Sequence, residues 1–161
     1  MKPTAPEALG SVIPFKGDTT INTPAGFSAG DENFDHFNLK NGIEYAGTHL
    51  ILDLWDAEHL DDLKLMEDTM REAVITCGAT LLHIHLHHFT PTYGISGVAI
   101  LAESHISVHT WPERNFAAFD IFMCGDAKPE YAIPVLKKAF NPGKMNISEH
   151  LRGMGEPVDK Q

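Results

Sequence analysis

SGVAILAESHISVHTWPE, Ser96 to Glu113, is the stretch whose reading decides the fold. Its halves, SGVAILA (Ser96–Ala102) and SHISVHTW (Ser104–Trp111), are rich in apolar and β-branched residues and read as two strands meeting at Glu103–Ser104. A glutamate, a serine and a histidine therefore cluster where one strand ends and the next begins. Working outward, GTHLILDLW (Gly47–Trp55) and TLLHIHLHHF (Thr80–Phe89) read as further strands. So do FAAFDIFM (Phe116–Met123), closed by Cys124-Gly125-Asp126, and KMNISEHLR (Lys144–Arg152). Leu60, Leu63, Met66, Met70, Val74 and Cys77 recur at three- and four-residue spacing, one face of a helix. Asp56 is its expected N-cap and Gly78 its C-terminal stop. Pro129 suits the first turn of a second helix that ends before Asn141-Pro142, with Lys137 and Lys138 in its last turn and a bend expected at Pro134. Strands joined mostly by short turns, with two helices, predict an α+β fold: a two-layer α/β sandwich, mainly antiparallel, with the helices on one face.

The 161 residues suffice for one domain with a real core, and 43% hydrophobic and 9% aromatic residues are globular values. The chain carries 22 acidic and 12 basic residues, a net charge of −10, which argues against a nucleic-acid partner and is compatible with a cationic substrate. No apolar run is long enough to span a bilayer and no basic-then-apolar leader opens the chain, so no membrane is expected and the expected compartment is the cytoplasm. Cys77 and Cys124 are expected as free thiols, Cys77 packed in the core. Residues 1–45, rich in Pro, Gly, Thr, Asn and Asp, read as an irregular N-terminal arm with Phe27, Phe34 and Phe37 as docking points. The domain proper is expected over 46–161.

Two chemistries compete on the residues alone. On a strand, His83, His85 and His87 share one face about 7 Å apart, and His-X-His is a real metal-ligand spacing. No carboxylate or cysteine accompanies them at a diagnostic interval, so an imidazole-lined sheet surface is the plainer reading. Ser104 could be a hydrolase nucleophile, but AESHI lacks the flanking glycines of the G-x-S-x-G elbow.

A third reading comes from resemblance. GISGVAILAESHISVHTWPE, then FAAFDIFMCGD and the ending SEHLRG, closely resemble the small, prokaryotic type of S-adenosylmethionine decarboxylase proenzyme. The likeness covers roughly Gly47 to Arg152 and omits the arm. It implies scission between Glu103 and Ser104: the Ser104 hydroxyl attacks the Glu103 carbonyl, an ester forms, and elimination and hydrolysis leave a pyruvoyl cap on residue 104. That group would take the substrate amine as a Schiff base and act as electron sink, with neither metal nor pyridoxal phosphate. By the same resemblance His109 is the processing base, Ser96 assists processing, and Cys124 is the proton donor. On a regular strand, positions 104 and 109 face opposite ways, so this assignment requires Ser104 to sit in the turn, off the pleat. Phe89, Trp55, Trp111, Glu113 and Asp53 match substrate-side positions, where aromatic faces stack on adenine and attract a sulfonium. HHFTPTYG carries one residue more than the common family turn, and Asp53 stands where relatives often have glutamate. The resemblance further implies a homodimer of processed two-subunit protomers, with active sites near the subunit contact, feeding spermidine synthesis.

Two alternatives stay open at this stage. The same pyruvoyl chemistry serves decarboxylases of L-ornithine or L-arginine, and the acidic charge suits all three substrates. A non-processing, histidine-rich metal-binding module is the other.

Overall fold

Each central strand alternates apolar and polar side chains, and a computed structural model of the chain, which describes residues 37–40 and 42–154, turns that alternation into a two-faced sheet. A small hairpin comes first, β1 (Asn38–Lys40) and β2 (Ile43–Tyr45), within the region expected as irregular arm. Phe27 and Phe34 lie outside the described residues. The main sheet has six strands: β3 (Gly47–Trp55), β4 (Leu81–His88), β5 (Ile95–Leu101), β6 (Ser104–Trp111), β7 (Phe116–Cys124) and β8 (Lys144–Arg152). Their order is β4-β5-β6-β7-β3-β8, and every neighbouring pair is antiparallel.

One face of the sheet is core. Leu50, Leu52 and Leu54 of β3, Ile106 and Val108 of β6, and Phe119, Ile121 and Met123 of β7 are buried there. Helix α1 (Leu63–Thr76) adds Met66, Met70, Ala73 and Val74, and helix α2 (Ala132–Phe140) adds Val135, Leu136 and Phe140, whose ring lies 5.9 Å from that of Phe119. The α+β two-layer sandwich expected from the sequence is the fold observed.

Three local expectations are corrected. The N-cap of α1 is Asp62, which accepts from Leu65 N–H at 2.9 Å, not Asp56. Asp56 and His59 have φ of 54° and 59°, which holds this segment out of the helix although Leu60 is buried. Pro129 opens a separate 3₁₀ turn, Pro129–Tyr131, ahead of α2. Pro134 is the third residue of α2, where no intrahelical N–H bond is owed, so nothing there requires a bend. Gly78 does end α1: at φ +73° it donates to Ile75 O while Ala79 donates to Val74 O, a Schellman closure.

Candidate active site

The antiparallel register sorts the chemistry-bearing residues to two ends of the sheet. Ser104 begins β6, Cys124 ends β7 and Gly47 begins β3, so these three share one end. Phe89 follows β4, Ser96 is the second residue of β5, and His109 and Trp111 close β6. Trp55 closes β3 and Phe116 opens β7, which places all of these at the other end. Along β6, Ser104 and His109 are five residues apart, about 17 Å at strand rise.

At the first end Ser104 Oγ donates to the carbonyl oxygen of Glu103 and accepts from Cys124 N–H at 3.0 Å. The hydroxyl is thus held at the peptide that joins it to the preceding residue. Cys124 pairs with Gly47, where any Cβ would come within 3.0 Å of its Sγ, so the glycine leaves the thiol its room. Ser104 is not off the pleat. It pairs with Met123 and shares the core-side parity of Ile106 and Val108, because Ala102 and Glu103 alone make the turn. It therefore faces away from its own His109 in both direction and position.

At the second end the open face holds a row, Ser96–His109–Ala118–Asp53, paired strand to strand. Ser96 Oγ lies 2.8 Å from His109 Nδ1, so the serine meets the imidazole rather than the Glu103 carbonyl. Ala118 leaves a low floor between His109 and Asp53. In the next row Phe116 sits between the two tryptophans, its ring centroid 4.3 Å from Trp55 and 5.3 Å from Trp111. No base can enter between Trp55 and Trp111, and stacking is left to their outer faces, each residue being 41% exposed. Trp55, Trp111, Glu113, Arg114 and Phe116 line an open cavity of about 360 Å³. Phe89 sits beside the His87 ring at 4.5 Å.

The stretch that builds both ends is the stretch shared with known proteins. Residues 48–153 match the family model described as S-adenosylmethionine decarboxylase. The chain belongs to the S-adenosylmethionine decarboxylase family. A protein of Thermomicrobium roseum named S-adenosylmethionine decarboxylase proenzyme is 45% identical over 113 residues, 70% of this chain and 97% of that one. One of the same name from Methanococcus aeolicus is 46% identical over 114 residues, 69% of this chain and 97% of the relative. The crystal structure of the adenosylmethionine decarboxylase from Aquifex aeolicus superposes with a TM-score of 0.65 at 32% identity, covering 73% of this chain and 98% of that one.

In this member of the S-adenosylmethionine decarboxylase family the described residues hold further groups that sequence reasoning passed over. His49, on the open face, receives Arg152 Nη1 at 3.1 Å on Nδ1 and has Nε2 3.3 Å from Asp120 Oδ1. The arginine can only donate, so His49 bears its proton on the side of Asp120. Phe116, Ala118 and Gly47 were missed too, although the strict period-two alternation of β7 places Phe116 and Ala118 on the open face. His83, His85 and His87 lie on the edge strand β4, and among the described residues no three His, Cys, Asp or Glu side chains converge as a metal site. Both cysteines are free. Burial pushes the Cys77 thiol up to about 11, consistent with core packing.

Proposed function

We propose that this chain is a self-processing, pyruvoyl-dependent decarboxylase of S-adenosylmethionine, supplying the aminopropyl donor for spermidine synthesis in the cytoplasm. The observation that carries the reading is the placement of Ser104 Oγ on the Glu103 carbonyl with Cys124 N–H as its second partner. That geometry fits the precursor of a pyruvoyl group at position 104.

Ser104 Oγ adds to the Glu103 carbonyl carbon, its proton passes to the departing nitrogen, and the amide becomes an ester. Removal of the residue-104 α-proton breaks the Cβ–Oγ bond, and Glu103 leaves with both oxygens as a carboxylate. The dehydroalanine left behind takes a proton at Cβ to become an imine, water adds, ammonia departs, and residue 104 retains a ketone. Chains 1–103 and 104–161 stay together through the β5–β6, β3–β7 and β3–β8 pairings. Once formed, the pyruvoyl group would supply an electrophilic carbonyl as the sink for the electron pair left on the α-carbon when carbon dioxide departs. Cys124 Sγ delivers a proton to the former α-carbon. Phe89, Trp55 and Trp111 offer aromatic faces to adenine and the sulfonium, while Glu113 and Asp53 offer carboxylates to the ribose or ammonium. An aromatic-walled cavity favours the nucleoside over ornithine or arginine.

His109 lies too far from its own Ser104 to take that α-proton. The sheet's open face exposes Ile51 at 40%, Ile100 at 45% and the two tryptophans, while the helices cover the other face. Two copies packed through open faces about a twofold axis perpendicular to the strands would set the Ser104–Cys124 end of one against the Ser96–His109 end of its partner. The reading is thus a homodimer with composite sites.

Masses of the mature polypeptides test the scission: fragments 1–103 and 104–161, the smaller with a blocked N-terminus, are expected. Carbon dioxide release from S-adenosylmethionine, ornithine and arginine tests the substrate. A preference for either amino acid overturns the substrate and spares the scission; a chain that stays whole overturns the mechanism.

A further inference from the structure

The turn that holds the scissile peptide is tied to another element, and the tie uses a side chain to which no role has been given. Thr80 N–H donates to Glu103 Oε2 at 3.0 Å, and Ala102 N–H donates to the Thr80 carbonyl at 3.0 Å. Two opposed hydrogen bonds thus clamp Ala102–Glu103 to the residue that follows the Schellman closure of α1. That closure fixes Thr80 in turn, through Gly78 N–H to Ile75 O and Ala79 N–H to Val74 O, both at 3.0 Å. On the far side of the scissile bond Ser104 Oγ is held by Cys124 N–H at 3.0 Å. The peptide between Glu103 and Ser104 is therefore gripped on both sides, by α1 on the carbonyl side and by β7 on the hydroxyl side.

We propose that the Glu103 carboxylate is a positioning residue for self-cleavage: through Thr80 N–H it fixes the scissile carbonyl against Ser104 Oγ. The proposal deepens the self-processing reading and rests on it. Attack on a carbonyl carbon depends steeply on placement, and a misplacement of about 1 Å costs on the order of a hundredfold in rate. With Ala102 N–H alone the turn has one tether and can swing about it. Glu103 is also the residue that becomes the new C-terminus, so the same bond keeps the first fragment's tail docked after scission. The clamp requires an acceptor oxygen at the reach of a glutamate and makes no use of negative charge, which separates it from an acid–base role.

The test compares self-cleavage rates of the freshly synthesised full chain and its variants on denaturing gels, with Tm measured alongside. Glu103→Ala is expected to slow scission at least about tenfold at unchanged Tm, and Glu103→Gln, which keeps the acceptor oxygen, to restore most of the rate. A Gln variant as slow as Ala overturns the proposal, because charge would then be the property that matters. A native chain that cleaves with Glu103→Ala matching it overturns the clamp alone; a native chain that never cleaves overturns the self-processing reading beneath it. Amide exchange supplies a readout independent of cleavage. In the uncleavable Ser104→Ala background, Thr80 N–H should exchange at least about tenfold faster when Glu103 is also alanine, since an unpaired amide opens to water. Equal exchange means that the clamp does not hold, and the proposal falls.

Discussion

Cys124 is asked to do two things, and they reside in different atoms. Its backbone N–H holds Ser104 Oγ at 3.0 Å, while its thiol is the proposed proton donor. Cys124→Ala keeps the first and removes the second. Scission should therefore proceed near the native rate, while decarboxylation falls about 10²- to 10⁴-fold, the usual worth of a positioned proton donor. Fragment appearance and carbon dioxide release, measured on one preparation, separate the two; a variant that fails to cleave would contradict the division. Cys77 offers a contrast of environment. Burial raises its pKa from 9.0 to about 11, so the folded chain keeps the proton over a range where the unfolded chain loses it. Above pH 9 the unfolded state binds fewer protons, and stability declines as pH rises toward 11. The stabilisation is complete below pH 9, and its loss by pH 11 is about 2 kcal/mol. Denaturant midpoints between pH 8 and 11 should drop more steeply for the native chain than for Cys77→Ala.

At the scale of single elements, the β4–β5 pairing depends on a residue with no side chain. A Cβ on Gly97 would collide with the His85 carbonyl oxygen and the Leu86 side chain, and would come within 2.9 Å of Leu86 Cα. Backbone cannot step aside cheaply, so Gly97→Ala should lower stability by about 1–3 kcal/mol, seen as a shift in denaturant midpoint at constant m-value. Asp62→Ala should cost about 1 kcal/mol by unsatisfying Leu65 N–H, and Asp56→Ala should leave the start of α1 intact. That pair also marks a limit of sequence reading. Spacing alone extends the apolar face of α1 back to Leu60, because Leu60 is buried, but left-handed residues at 56 and 59 deny the segment a helical path. Backbone sign is not encoded in hydrophobic period. Pro134 fails in the opposite sense: the residue type suggests a bend, and its place in the first turn makes it harmless. The strands read well, since a period of two with β-branched residues has few competing interpretations; Lys144–Arg152 was placed to the residue.

Across the whole molecule, the sequence singles out candidate residues but does not show how the fold groups them. Ser104, His109, Ser96 and Cys124 stand in one short run of sequence, and proximity in sequence suggested one cluster. A strand converts five residues into about 17 Å and an odd interval into opposite faces, so these candidate residues fall in two groups at opposite ends of the sheet. If the halves belong together, they belong together across two copies, and complementation can tell. Chains carrying Ser104→Ala and chains carrying His109→Ala should each be inert alone. Co-expressed, a mixed dimer pairs the intact Ser104 of one copy with the intact His109 of the other at one of its two sites. Random pairing makes about half the dimers mixed, so about a quarter of native sites should be functional. The fragments should then arise only from the His109→Ala polypeptide, because it alone bears the serine; distinct mass tags on the two chains read this directly. Scission by His109→Ala chains expressed alone would mean that their own Ser104 needs no imidazole. Silence in the mixture, with mixed dimers present by native mass measurement, would place both halves within one chain and require a movement of β6 that the register between β5 and β7 opposes.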